Sequence, residues 1–83
     1  MNPPKRIQLV THDSIHLIKL KEILYCKGEN TYTIFHLIKG NSIRVSKNIK
    51  AFENLLKGTN FFRSHQSYLV NMKHVIKIDK TDA

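Results

Sequence analysis

The sequence predicts a small, mostly β domain in which short antiparallel strands form small sheets and one short helix packs on them. Three observations support this fold class. Short runs rich in β-branched and aromatic residues recur along the chain and are separated by polar turns. Apolar residues recur at helical spacing only in the stretch 49–56. A chain of 83 residues is long enough for one domain with a modest core.

The first strands follow from apolar runs between polar breaks. Residues 7–10 and 15–20 form a predicted antiparallel pair around the polar turn 11–14. After a short connection, residues 23–26 form a buried third strand, which we expect to break at 28–30.

A predicted hairpin comes next. Residues 31–38 have strong β-propensity, and the turn at 39–41 leads back into a partner strand at 42–45. Alternation within the partner strand places Ile43 and Val45 on one face.

The single helix follows this hairpin. Its predicted apolar stripe consists of Ile49, Phe52, Leu55 and Leu56. Asn48 is the predicted N-cap and Gly58 the predicted C-cap. Because the stripe is needed for the core and few base-reading groups are present, we expect a structural helix and not a recognition helix.

The last third of the chain predicts two more strands around a polar segment. The pair 61–62 returns to the core, and residues 63–67 form the polar segment. Residues 68–70 and 75–78 are the expected strands. We interpret residues 1–5 as the end of a linker or a short lead, and residues 6–83 as the domain.

Charge and cysteine content restrict the function classes. The chain has 14 Lys and Arg against 6 Asp and Glu, a formal net charge of +8, which favours a polyanionic partner such as nucleic acid. The single cysteine, Cys26, excludes an internal disulfide and is predicted to be a small buried hydrophobe. No secretory leader or membrane-spanning run is visible, so we predict a cytoplasmic protein without a membrane partner.

The polar segment carries the most chemistry in the chain. Within six residues it holds a cation, an imidazole, an amide and hydroxyls, from Arg63, His65, Gln66 and Ser67 among others. Arg binds phosphate or guanine, and Gln pairs with adenine. From composition alone, an ordinary surface loop explains the segment equally well.

The stretch 62–71 resembles the signature of the LytTR family of bacterial DNA-binding domains. In that signature an aromatic residue, Arg, a variable residue, His, a polar or basic residue, Ser, an aromatic and an aliphatic residue, Val and Asn follow in that order. The resemblance extends to residues 23–25, 30–32 and 75–76. It implies sequence-specific binding of double-stranded DNA as the output domain of a two-component response regulator, C-terminal to a receiver domain. It also implies that two protomers bind a direct-repeat site.

The resemblance also implies which residues contact DNA. Loops of the family enter neighbouring major grooves, and the matching positions lie in two segments of this chain. The predicted contacts are Asn30, Thr31 and Tyr32 in the first segment and Arg63, His65, Gln66 and Ser67 in the second. The position of Ser67 meets phosphate, and Arg63 is expected to hold a phosphate as well. An ordinary β-turn with a packing tyrosine is the alternative for the first segment.

Lys47 is a further candidate phosphate contact, because it lies beside the predicted helix N-terminus. Helix capping with a solvated charge explains it equally well. In the family one more hairpin, with a DNA-contacting basic residue, normally follows the last strand of this chain. We therefore expect a domain truncated at its C-terminus.

Two other function classes remain open, and catalysis is not expected. A small basic β module could bind single-stranded RNA by stacking bases on Tyr32, Phe35 and Phe62. A protein-interaction fragment completed by another chain is the third class. The sequence shows no paired carboxylates, glycine-rich phosphate loop or nucleophile elbow, and its five histidines are scattered, so we expect no enzyme, metal or cofactor.

Overall fold

The computed structural model describes residues 5–74, and the strand predicted at 75–78 lies outside them. The described residues form two antiparallel sheets and one α-helix, which confirms the predicted fold class. The strands are β1 (Arg6–Val10), β2 (Ile15–Lys19), β3 (Ile23–Glu29), β4 (Tyr32–Leu37), β5 (Ser42–Val45), β6 (Phe61–His65) and β7 (Tyr68–Asn71). The helix α1 (Ile49–Leu55) joins β5 to β6, and short 3₁₀ turns cover Leu20–Glu22 and Met72–His74.

Most neighbouring strands in the sheets are also neighbours in the sequence, and one connection crosses a sheet. β1 and β2 form a two-stranded sheet, and the other strands form a five-stranded sheet in the order β5-β4-β3-β7-β6. The helix connects the two edge strands, so the chain crosses one face of the five-stranded sheet between β5 and β6. This crossover brings β7 beside β3 in the centre of the sheet.

The hydrophobic core lies between the inner faces of the sheets and the helix. The ring of Phe35 meets that of Phe52 edge to face, with centroids 4.8 Å apart. The buried apolar residues are Ile7, Leu9, Ile23, Cys26, Phe35, Leu37, Ile43, Val45, Ile49, Phe52, Leu56 and Leu69. Ile43 and Val45 point to the core and Arg44 to solvent, as the alternation predicts.

The helix begins as predicted and ends slightly differently. The Asn48 side chain accepts a hydrogen bond from the Ala51 amide, which confirms the N-cap. The C-cap is Leu56, and Gly58 follows two residues later with a φ of 84°. Leu55 is 54% exposed and lies outside the apolar stripe, whereas the next residue, Leu56, is buried.

Two predictions about apolar residues near the strands are wrong. Only Phe61 packs on the core, whereas Phe62 points to the other side of β6 and is 56% exposed. Phe35 is fully buried, so it is not available to stack on an RNA base. In both cases strand alternation decides the outcome.

The predicted break of β3 at residues 28–30 begins too early: β3 continues through Gly28 to Glu29, and the chain turns only at Asn30. The Gly28 amide donates to the Ser67 carbonyl at 2.7 Å. A Cβ atom at this glycine would lie 2.9 Å from Cγ2 of Ile49, so the missing side chain makes room for the start of α1. Glycine here permits close packing of helix on strand and does not end the strand.

Candidate nucleic-acid interface

Two polar turns lie together at one end of the five-stranded sheet. The β3–β4 turn consists of Asn30 and Thr31, and the β6–β7 turn of Gln66 and Ser67. Because β3 pairs with β7 and the Gly28 amide bonds to the Ser67 carbonyl, the two turns are neighbours. The fold thus brings together two segments that lie far apart in the sequence.

The β3–β4 turn presents two exposed polar side chains. Asn30 has a φ of 54°, in the left-handed region that Asn adopts more readily than most residues. Asn30 and Thr31 are both exposed, and the flanking Glu29 and Tyr32 pair across the strands. The geometry leaves both side chains free to meet a ligand from solvent.

Tyr32 is half-buried and contacts a cation, and the sequence did not predict this contact. The Arg44 guanidinium lies over the Tyr32 ring, 4.0 Å from its centroid. The only signal for Arg44 in the sequence was its outward position in the alternation of β5. Tyr32 therefore has a packing contact within the protein, and the Arg44 cation lies at this end of the sheet.

The β6–β7 turn is held by Arg63. Its Nε donates to the His65 carbonyl at 3.0 Å, Nη2 donates to the Gln66 carbonyl, and Nη1 donates to the Glu53 carboxylate on α1. The pairing register shifts between Arg63 and His65, which indicates a bulge before the turn. The guanidinium of Arg63 thus contacts acceptors within the protein.

The side chains at the tip of this turn face solvent. His65 and Gln66 are exposed and Ser67 is half-buried. The Ser67 amide donates to Nδ1 of His65 at 3.1 Å, and the His65 ring lies 5.8 Å from the ring of Tyr68. Since Nδ1 accepts this bond, a neutral His65 carries its proton on Nε2, where it is a hydrogen-bond donor.

Lys47 is exposed and lies just before α1. Its carbonyl accepts a hydrogen bond from the buried Thr33 hydroxyl at 2.8 Å, and Thr33 pairs with Gly28 next to the β3–β4 turn. Lys47 is therefore at the same end of the sheet as the two turns. Its ammonium lies 5.9 Å from the ring centroid of Phe52.

A cleft of about 1010 Å³ lies at the opposite end of the sheet, beside the pair Phe61 and Asn71. None of the predicted contact residues lines it. Its basic lining residues are Lys5, Arg6, Lys19, Lys21 and Lys73.

Cys26 is buried at the centre of β3. Burial raises the pKa of its thiol, so the thiol stays neutral and lacks the nucleophilic form that a redox sensor needs. Within residues 5–74, no helix has the length and apolar character required to cross a membrane.

Comparison with known proteins identifies the family. The model of the LytTr DNA-binding domain matches residues 13–83. The chain belongs to the LytTR family of DNA-binding domains. This family is one of DNA-binding domains.

This LytTR chain is similar in sequence to two curated proteins and in fold to one solved structure. It is 28% identical over 68 residues to the transcriptional regulatory protein LytR of Staphylococcus aureus, covering 82% of this chain and 27% of that protein. It is 32% identical over 77 residues to the sensory transduction protein LytT of Oceanobacillus iheyensis, covering 90% and 31%. The fold matches the LytTr domain of a Bacillus cereus response regulator with a TM-score of 0.73 at 24% identity, covering 96% and 72%. The chain thus spans about three tenths of the curated relatives.

Proposed function

We propose that this LytTR domain binds double-stranded DNA sequence-specifically, with its two polar turns lying side by side on the major groove. The observation that carries the proposal is the juxtaposition of the two exposed turns at one end of the sheet. The major groove offers a distinct pattern of donors and acceptors for each base pair, and short polar side chains on a rigid turn suit that pattern.

Each turn contributes a different set of groups to the proposed contact. In the first turn, Asn30 and Thr31 contact base edges or sugar, and Tyr32 meets phosphate or supports the turn. In the second turn, Gln66 contacts a base edge because its amide both donates and accepts, and His65 offers its Nε2 proton.

Phosphate contacts supply most of the affinity in this proposal. Ser67 and Lys47 are the proposed phosphate contacts, and Arg44 adds a cation beside the first turn. The net charge of +8 supports a DNA affinity that falls with increasing salt, since each phosphate that is neutralised on binding releases counterions.

The relatives support a wider role for the domain. Because they are regulatory proteins more than three times as long as the matched region, we propose that this domain is the output part of a two-component response regulator with an N-terminal receiver domain. Two protomers would then occupy a direct-repeat promoter site. Binding chromosomal DNA in a bacterium requires a cytoplasmic location.

The test is selection from a randomised duplex pool, followed by fluorescence anisotropy at two salt concentrations. We expect enrichment of a repeated motif with half-sites about one helical turn apart. Salt-sensitive binding without any enrichment would contradict sequence-specific recognition. Competition by single-stranded RNA tests the alternative function, for which the exposed Phe62 remains available.

A substitution at Gln66 tests its proposed base contact. Gln66→Ala should lower affinity for the selected site by roughly 1–3 kcal/mol and relax preference at one base position. Gln8→Ala, on the exposed face of β1, is the matched control and should leave binding unchanged. Equal losses on selected and scrambled duplexes would remove Gln66 from the base contacts.

A further inference from the structure

We propose that Arg63 and Glu53 are positioning residues that hold the β6–β7 turn in its DNA-binding shape, and that Arg63 is not itself a phosphate contact. This inference rests on the proposed function of the turn. It assigns a role in recognition to Glu53, a helix residue that carries a negative charge and that charge-based reasoning would exclude from a DNA interface.

The first support is the set of acceptors around the guanidinium. Nε and Nη2 donate to the consecutive carbonyls of His65 and Gln66, and Nη1 donates to Glu53. The planar fork of Arg bonds several acceptors at fixed angles, which the single ammonium of Lys cannot do. Bonds to consecutive carbonyls at the tip restrict the backbone torsions between them.

The second support is the link from the turn to the core. Glu53 lies on α1 next to Phe52, which is buried against the sheet. The turn is therefore attached both to its own strands and to a helix that is packed on the other residues of the core. The Arg63 and Glu53 side chains are 24% and 38% exposed, so the pair is partly shielded from water.

The third support is the effect on the groups that would meet DNA. Bonding at the His65 and Gln66 carbonyls fixes the backbone from which both side chains project. It also sets the approach of the Ser67 amide to Nδ1 of His65. Through that bond, Arg63 contributes to keeping the His65 proton on the solvent-facing Nε2.

Charge distinguishes this role from a phosphate contact. The carboxylate of Glu53 neutralises the guanidinium locally. If Arg63 bound phosphate, Glu53→Gln would release the cation and remove a repelling charge, and affinity for every DNA sequence would rise. If Arg63 positions the turn, the same substitution weakens one anchor and lowers affinity for the selected site. The two roles predict opposite signs for one variant.

The experiment measures binding of Arg63→Lys, Arg63→Ala, Glu53→Gln and Glu53→Ala to selected and scrambled duplexes over a salt series. We expect Arg63→Lys to lose about tenfold in affinity for the selected site, the size of a weak base contact. Scrambled-site affinity and the salt slope should not change, because the charge is kept. Asp13→Asn, in the β1–β2 turn, makes the same charge change as Glu53→Gln outside both polar turns and should have no site-specific effect.

Two results would overturn the proposal. One is higher affinity of Glu53→Gln for both duplexes. The other is full selected-site affinity in Arg63→Lys together with a salt slope reduced by about one unit in Arg63→Ala, the signature of a lost phosphate contact. Melting curves of each variant establish that the fold is retained.

A second readout keeps this inference separate from the proposed function. Backbone ¹⁵N relaxation of the free protein should show greater disorder at residues 65–67 in Arg63→Lys and Glu53→Ala, with the rest of the sheet unchanged. If the backbone order of residues 65–67 is unchanged in both variants, the positioning role of Arg63 and Glu53 is refuted, whatever the DNA-binding results are. If the turn loosens but the wild-type protein shows no preference among duplexes, the proposed function fails while the structural link is upheld.

Discussion

The left-handed conformation of Asn30 allows its two possible roles to be separated by a pair of substitutions. Among residues 5–74, Asn30 is the only non-glycine residue with a positive φ. An alanine in this region costs roughly 1–2 kcal/mol, whereas glycine adopts it freely. We therefore expect Asn30→Ala to lower the melting temperature by roughly 4–16 °C, since each kcal/mol lowers it by about 4–8 °C in a domain of this size. Asn30→Gly should melt close to the wild-type protein.

DNA binding provides the second half of this test. Both variants lack the side-chain amide, so if Asn30 contacts a base, both should lose roughly 1–3 kcal/mol of selected-site affinity. Fluorescence anisotropy well below the melting temperature measures the loss, and Asn54→Ala, on the exposed side of α1, controls for the loss of a surface amide. Equal melting temperatures for the Ala and Gly variants would refute the conformational argument. Full affinity in Asn30→Gly would show that Asn30 serves only the turn.

Three further predictions concern the scaffold beneath the turns. Asn71→Asp should lower the free energy of unfolding, measured in urea, by roughly 3 kcal/mol. The reason is that a carboxylate oxygen would replace the buried Nδ2, which donates to two backbone carbonyls at 2.9 and 3.1 Å. A decrease below about 1 kcal/mol would contradict this prediction. Gly28→Ala should lower the free energy of unfolding by roughly 1–3 kcal/mol, because its new Cβ atom would press on Ile49. The double variant Gly28→Ala with Ile49→Ala should lose less free energy of unfolding than the two single variants lose together. Cys26 should resist iodoacetamide at pH 8 until urea unfolds the protein. Burial raises the pKa of the Cys26 thiol in the folded state, whereas the thiol of the unfolded chain keeps its ordinary pKa of 9.0 and ionises first. The free energy of unfolding should therefore fall as the pH rises above that value. Rapid alkylation of Cys26 in the folded protein would argue against its burial.

The candidate contacts differ in how far sequence alone could define them. Gln66 and Asn30 were identified correctly as exposed turn residues, because a polar side chain between two apolar strands has no core position to occupy. Their role in binding DNA remains a prediction. The internal contacts of Arg63 were missed, because its partner Glu53 lies on the helix and only the crossover brings the two together. The contact between Arg44 and Tyr32 was not predicted, because it depends on the register of β4 and β5.

Local chemistry in the sequence determined the fold class, the helix with its Asn48 N-cap, most of the strand positions and the family. These features depend on alternation, propensity and motif order, which act over a few residues. Tertiary structure alone decided that β3 passes through Gly28 and that the two polar turns are neighbours. Each of these depends on which element packs against which, and packing between distant segments is set by the whole core rather than by any local pattern.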